Sequence, residues 1–218
     1  MKKTARASPG RRRRLPNRRV FLNVPYDERY EPLYLAFIAG LSGFGLVPQA
    51  TVQIPLSERR LDRILGLIRR CRISVHDLSR VELDPKPPRT PRFNMPFELG
   101  LAVAWAGISS RTHEWFVFES EPGRILKSLS DLAGTEVYIH GDEPVGVLRQ
   151  LTNALARSKH RPTVKELLSI FQDLRAASDG LRSDLATDTL FETRPFNELV
   201  YMARYFARQR VASLRKAR

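Results

Sequence analysis

Arg72-Ile-Ser-Val-His-Asp-Leu-Ser79 and Arg92-Phe-Asn-Met-Pro-Phe-Glu-Leu-Gly-Leu-Ala-Val-Ala104 decide how this chain is read. The first segment predicts a short buried strand, Arg72 to Asp77, ending in a carboxylate. The second predicts a helix entered at Asn94, an expected N-cap, and running to about Trp105, with Glu98 in its first turn. Between them the span Ser79–Pro91 carries four prolines and predicts an irregular loop. A strand ending in Asp77 followed by a helix carrying Glu98 puts two carboxylates near one sheet edge, the place where open α/β folds take their ligands.

Working outward, the same alternation recurs. Arg19–Val24 predicts a first strand. The Pro25-Tyr26-Asp27-Glu28 loop follows, then a helix from Glu31 with Leu33, Phe37, Ile38 and Leu41 on one face, ended by Gly43 and Gly45. Leu46–Val52, interrupted by Pro48, predicts a second strand near an edge. Ser57 is the expected cap of a helix whose apolar face holds Leu61, Ile64, Leu65 and Ile68, opposite Arg59, Arg60, Asp62 and Arg69. Glu114–Glu119 and Thr135–Ile139 predict a fourth and fifth strand. Leu126–Leu132 and Pro144–Ser158 predict helices. Strand–helix alternation repeated about five times predicts an α/β fold, a five-stranded doubly wound parallel sheet of the flavodoxin type. It is expected to span residues 19–159.

After residue 160 the strands stop. Val164, Leu167, Leu168, Phe171 and Leu174 predict one amphipathic helix. Phe196, Leu199, Val200, Ala203 and Phe206 predict another, with a polar, turn-rich stretch from Ser178 to Thr193 between them. Two helices alone make a poor core, so this C-terminal helical appendage (160–218) is expected to dock on the α/β body or on a partner, a homo-oligomer contact included.

Net charge is +14. Residues 1–19 hold nine Lys or Arg and no acid, while the other 199 hold 28 basic and 23 acidic residues, a surplus of five. Residues 1–18 are therefore expected to be a disordered basic tail, a solvated arm rather than a nucleic-acid contact by counterion release. No apolar run is long enough for a signal peptide or a transmembrane helix, and Cys71 is the single cysteine. A cytoplasmic protein without membrane contact is the simplest expectation. The four histidines, His76, His113, His140 and His160, lack zinc-ligand spacing, and no metal or resident cofactor is expected. His76 reads as a core histidine, Cys71 as buried filler.

All strand C-termini of a parallel sheet share one edge, so Pro25, Tyr26, Asp27, Asp77, Asn94 and Glu98 are expected there. Glu98 could stabilise or attack an anomeric carbon, because cleavage of a ribosyl bond passes through an oxocarbenium-like state. Asp77 could bind ribose or handle the leaving base's proton. Asn94 could hydrogen-bond sugar hydroxyls, and Tyr26 could stack on a base. Each has a plainer alternative: helix charge complementarity for Glu98, a turn cap for Asp77, an N-cap for Asn94 and packing for Tyr26.

The strand followed by Pro25-Tyr26-Asp27, the strand ending in Asp77-Leu78, and Phe97-Glu98-Leu99-Gly100-Leu101-Ala102 together resemble the nucleoside 2-deoxyribosyltransferase-like superfamily. They are similar also to bacterial TIR-like domains, which share a flavodoxin-like arrangement. The resemblance covers roughly residues 19–140. It implies that Glu98 serves as nucleophile on the sugar or in NAD cleavage, with a nucleoside, nucleotide or NAD as substrate. Transferases of the first family carry an acid about six positions before the glutamate, where this chain has Arg92. TIR domains often carry Trp-Cys where it has Asn94-Met95. These departures leave open a non-catalytic nucleotide-binding or signalling module, in bacterial defence or stress response.

Overall fold

The computed structural model describes residues 17–53, 59–80, 83, 86–109 and 113–216, the side chains of 211–216 excepted. The expected Ser57 cap and the basic tail up to residue 16 lie outside the described residues. Five strands form one parallel sheet: β1 (Arg19–Asn23), β2 (Val47–Gln49), β3 (Ile73–Asp77), β4 (Glu114–Glu119) and β5 (Val137–Ile139). Their order is β2-β1-β3-β4-β5, that of a flavodoxin-like doubly wound sheet. β2 is a three-residue edge strand in which Pro48 is tolerated. It is shorter than the expected Leu46–Val52, because Thr51–Gln53 turn into a 3₁₀ segment.

The helices are α1 (Glu31–Gly43), α2 (Arg60–Arg70), α3 (Asn94–Ile108), α4 (Arg124–Ser128), α5 (Pro144–Ala154), α6 (Val164–Leu185) and α7 (Thr193–Lys216). Alternate strand residues feed opposite layers. Val20, Leu22, Val75 and Phe118 face the α1 side, whereas Phe21 packs with Ile64, Leu67 and Ile68 of α2 and Ala102 of α3. Val117 meets Met95 and Leu99 of α3 and Ile125 of α4.

α1 is buried on every side, from Leu33 to Gly43. A helix lying on a sheet needs only one apolar stripe, and one that is apolar all round needs a second cover. α5, α6 and α7 supply it: Val147, Leu148, Leu151, Leu167, Ile170, Phe196 and Leu199 share a single core with α1. Gly40 and Gly43 let the helices close up, since a Cβ there would collide with Leu151 and Leu167. Arg182 of α6 reaches back to Glu31 at the start of α1. The C-terminal helices thus dock on the α/β body.

α6 corrects one expectation. It continues through Ser178 to Leu185, so the turn between the last two helices is only seven residues, 186–192. Its N-terminus is a capping box: Thr163 Oγ1 accepts from the Glu166 N–H at 3.2 Å and Glu166 Oε2 accepts from the Thr163 N–H at 2.6 Å. Among the described residues no helix is long and apolar enough to cross a membrane.

Phe196 is fully buried, its ring centroid 6.1 Å from that of Tyr34 in α1. Phe196→Ala is expected to cost about 3–5 kcal/mol in urea unfolding while leaving one cooperative transition. A separate early transition for α6 and α7 would contradict the shared core.

Candidate functional site at the β1/β3 switch point

In this strand order the chain winds outward to β2 on one side of β1 and to β4 and β5 on the other side of β3. The crevice beyond the C-terminal ends of β1 and β3 is therefore the topological switch point. Asn23 and His76 are register partners there. Asn23 Nδ2 donates to His76 Nδ1 at 2.9 Å and to the Met95 carbonyl at 3.1 Å, tying β1, β3 and the first turn of α3 together. His76 accepts on Nδ1, so its proton sits on Nε2, which has no partner among the described residues. Burial, helped by neighbouring His113, pushes the His76 pKa down to about 3, so the ring is neutral.

Asp77 belongs to a second, fully buried group on the α1 side. Its Oδ1 accepts from the Ser79 N–H at 2.8 Å, and its Oδ2 lies 2.9 Å from His140 Nε2. Ser79 Oγ is 3.0 Å from the same nitrogen, and the Asp142 N–H donates to His140 Nδ1 at 3.1 Å. The Tyr30 phenol, whose pKa is raised by burial and then by the Asp77 charge, stands beside the carboxylate. Gly146 lets α5 start directly against His140, because a Cβ at 146 would collide with the His140 carbonyl. Asp77 is 0 % exposed. In this arrangement it caps the turn at Ser79 and braces the ends of β3 and β5.

Glu98 lies elsewhere. α3 begins at Asn94, not after it, with Phe93 at the cap position and no side-chain cap bond. Asn94 is thus no cap: it is the first helical residue and is exposed. Glu98 falls in the second turn, so the helix dipole expected to favour its ionised form gives way to burial. It is 4 % exposed, and desolvation raises its pKa to about 7 despite Arg60, whose Nη2 stands 3.8 Å from Oε1. Glu98 and Arg60 both act on the Tyr26 phenol, which is held at about 12 chiefly by burial. The Tyr26 hydroxyl is 3.3 Å from Thr51 Oγ1. Its ring packs against Tyr34 and Phe191, at 6.3 and 5.8 Å between centroids. The ring is thus packed on one side and the residue stays partly exposed.

Pro25 is buried. Asp27 Oδ1 accepts from the Tyr30 N–H at 3.1 Å, capping the 3₁₀ turn Glu28–Tyr30. Its Oδ2 stands 3.6 Å from Arg80 Nε and 3.8 Å from Arg92 Nη1. The Arg80 guanidinium also lies 5.7 Å over the Tyr30 ring. The structure thus groups Glu98 with Tyr26, Thr51 and Arg60, links Asp27 to Arg80 and Arg92, and sets Asp77 apart with Tyr30, Ser79 and His140. Arg60, which read as part of a solvated helix face, is the neighbour that sequence reasoning missed. His140 and Asn23 were missed as well. Among the described residues no group of three His, Cys, Asp or Glu side chains is placed to hold a metal ion. Comparisons with protein families, curated proteins and solved structures return no match.

The raised Glu98 pKa has a consequence for stability. The unfolded carboxyl ionises near 4.5 and the folded one near 7. Stability therefore falls as pH rises between those values and stays reduced by about 3 kcal/mol above pH 7. Glu98→Gln removes that penalty. Urea unfolding should find the variant more stable than the parent at pH 8 and the two indistinguishable near pH 4; a constant difference across pH would refute the assignment.

Proposed function

We propose that this protein cleaves an N-glycosidic bond in a nucleoside, nucleotide or NAD, with Glu98 as the carboxylate that meets the sugar. The observation that carries this reading is Glu98 itself: a carboxyl at the switch-point edge, shielded from water, its pKa raised to about 7 by burial, with the Arg60 guanidinium 3.8 Å away. Such a group fits the task on three grounds. Ionised, it attacks the anomeric carbon or faces the positive charge that develops there as the bond to the base breaks. Shielding from water strengthens that interaction. Water, or a second base, then takes the sugar from Glu98. Asn23 and His76 fix the start of α3, and with it the height of Glu98 above the strand ends. Asp77 positions the β3 loop through the Ser79 N–H.

A second reading, a nucleotide-binding module without turnover, is favoured by the low exposure of Glu98 and by the guanidinium at its mouth. One experiment separates the two. Purified protein is incubated with NAD and a panel of nucleosides and nucleotides, and release of the free base is followed by chromatography. Cleavage is expected for at least one substrate, with kcat/KM rising through about pH 7 as Glu98 ionises and falling by about a thousandfold or more in Glu98→Gln. Saturable binding with no base release establishes the second reading, and full activity in Glu98→Gln removes the first.

A further inference from the structure

α7 carries six Lys or Arg against one acid, Glu198. Its neighbour α6 carries three against four. Positive charge is thus concentrated on one helix of the pair. The apolar face of α7, Phe196, Leu199, Val200 and Ala203, is already used against α1 and α6. What remains outward includes two aromatic rings: Tyr201 is 68 % exposed and Tyr205 50 % exposed. They are one turn apart, about 6 Å along the axis. Arg204 lies between them, half-buried, and Arg208 follows a turn after Arg204, exposed. Arg210 turns away to Asp173 at 3.0 Å and is not part of this stripe.

Large aromatic side chains left in water beside arginines are the composition of a surface that takes stacked bases and their phosphates. A membrane-surface helix would need its apolar face outward, and here that face is inward. We infer that the Tyr201–Arg204–Tyr205–Arg208 stripe of α7 binds single-stranded nucleic acid. The arginines meet phosphates and each tyrosine takes a base on its ring. This surface is independent of the Glu98 site and stands or falls without it.

The test uses the full chain and fluorescence anisotropy with a labelled 15-nucleotide oligo-dT and oligo-U at several salt concentrations. Binding is expected to weaken with salt. Tyr201→Ala with Tyr205→Ala should weaken it by about tenfold or more, whereas Tyr201→Phe with Tyr205→Phe should retain it. Arg204→Gln with Arg208→Gln should flatten the slope of log K against log salt by roughly 1.4, two phosphates' worth. Unfolding midpoints are measured alongside, and the Tyr→Phe pair keeps the test decisive if the alanine pair proves unstable. Any of three results overturns the inference: no oligonucleotide binding even at low salt, capture by anionic phosphatidylserine vesicles in its place, or binding that disappears when Arg11 to Arg14 become glutamine yet ignores the tyrosines.

Discussion

The double burial of α1 is the constraint from which the architecture follows. From Leu33 to Gly43 every residue is shielded, and the segment carries no charge with which to face water. The sheet covers one side. The other side would be a large apolar surface on the finished domain without α5, α6 and α7. Gly40 and Gly43 bring those helices close enough for Leu151 and Leu167 to fill the space a side chain would have taken. The C-terminal pair is therefore the outer half of the core, and its own amphipathic stripes are matched to a helix more than a hundred residues earlier.

Against that solid side, the edge beyond β1 and β3 is polar. Asn23, His76, Ser79, His140 and Asp77 are all buried there, and side-chain hydrogen bonds join strands to helix and loop. Buried polar networks specify an arrangement sharply, since each unmet partner carries a desolvation cost. The two acids show how environment separates like groups. Asp77 accepts a backbone N–H and faces an imidazole, whereas Glu98 is buried near the Tyr26 phenol with the Arg60 guanidinium 3.8 Å away. Chemical similarity in the sequence says nothing of that difference.

Much of the fold was legible because it is written in local pattern. β1 and β4 are short, largely apolar runs, α1 ends at its glycine, and the alternation of elements implied the parallel sheet. The misses have physical causes. Asn94 has the chemistry of a cap, but Pro96 is tolerated inside the first turn, so the helix starts one residue earlier and Glu98 moves from a dipole environment to a desolvated one. The polar stretch after Ser178 looks like loop, yet α6 persists because Leu181 on its inner face is buried. The capping box at Thr163 and Glu166 was present in the sequence as a start signal. The site was legible only by residue type. Asn23 with His76 and Asp77 with His140 are pairs separated by 53 and 63 positions, and only strand order brings them together.

Chain order gives the covering of α1 a temporal side. Pro144, where the outer cover begins, lies 101 residues after Gly43. At ribosomal rates of about 5–20 residues per second, the first helix is made roughly 5–20 s before the first residue of that cover. Through that interval a helix with no polar face has only the growing sheet to lie on. During synthesis the nascent protein thus displays a sticky surface that the finished one never shows. Whatever shelters that surface in the meantime bears on folding alongside the stability of the finished state.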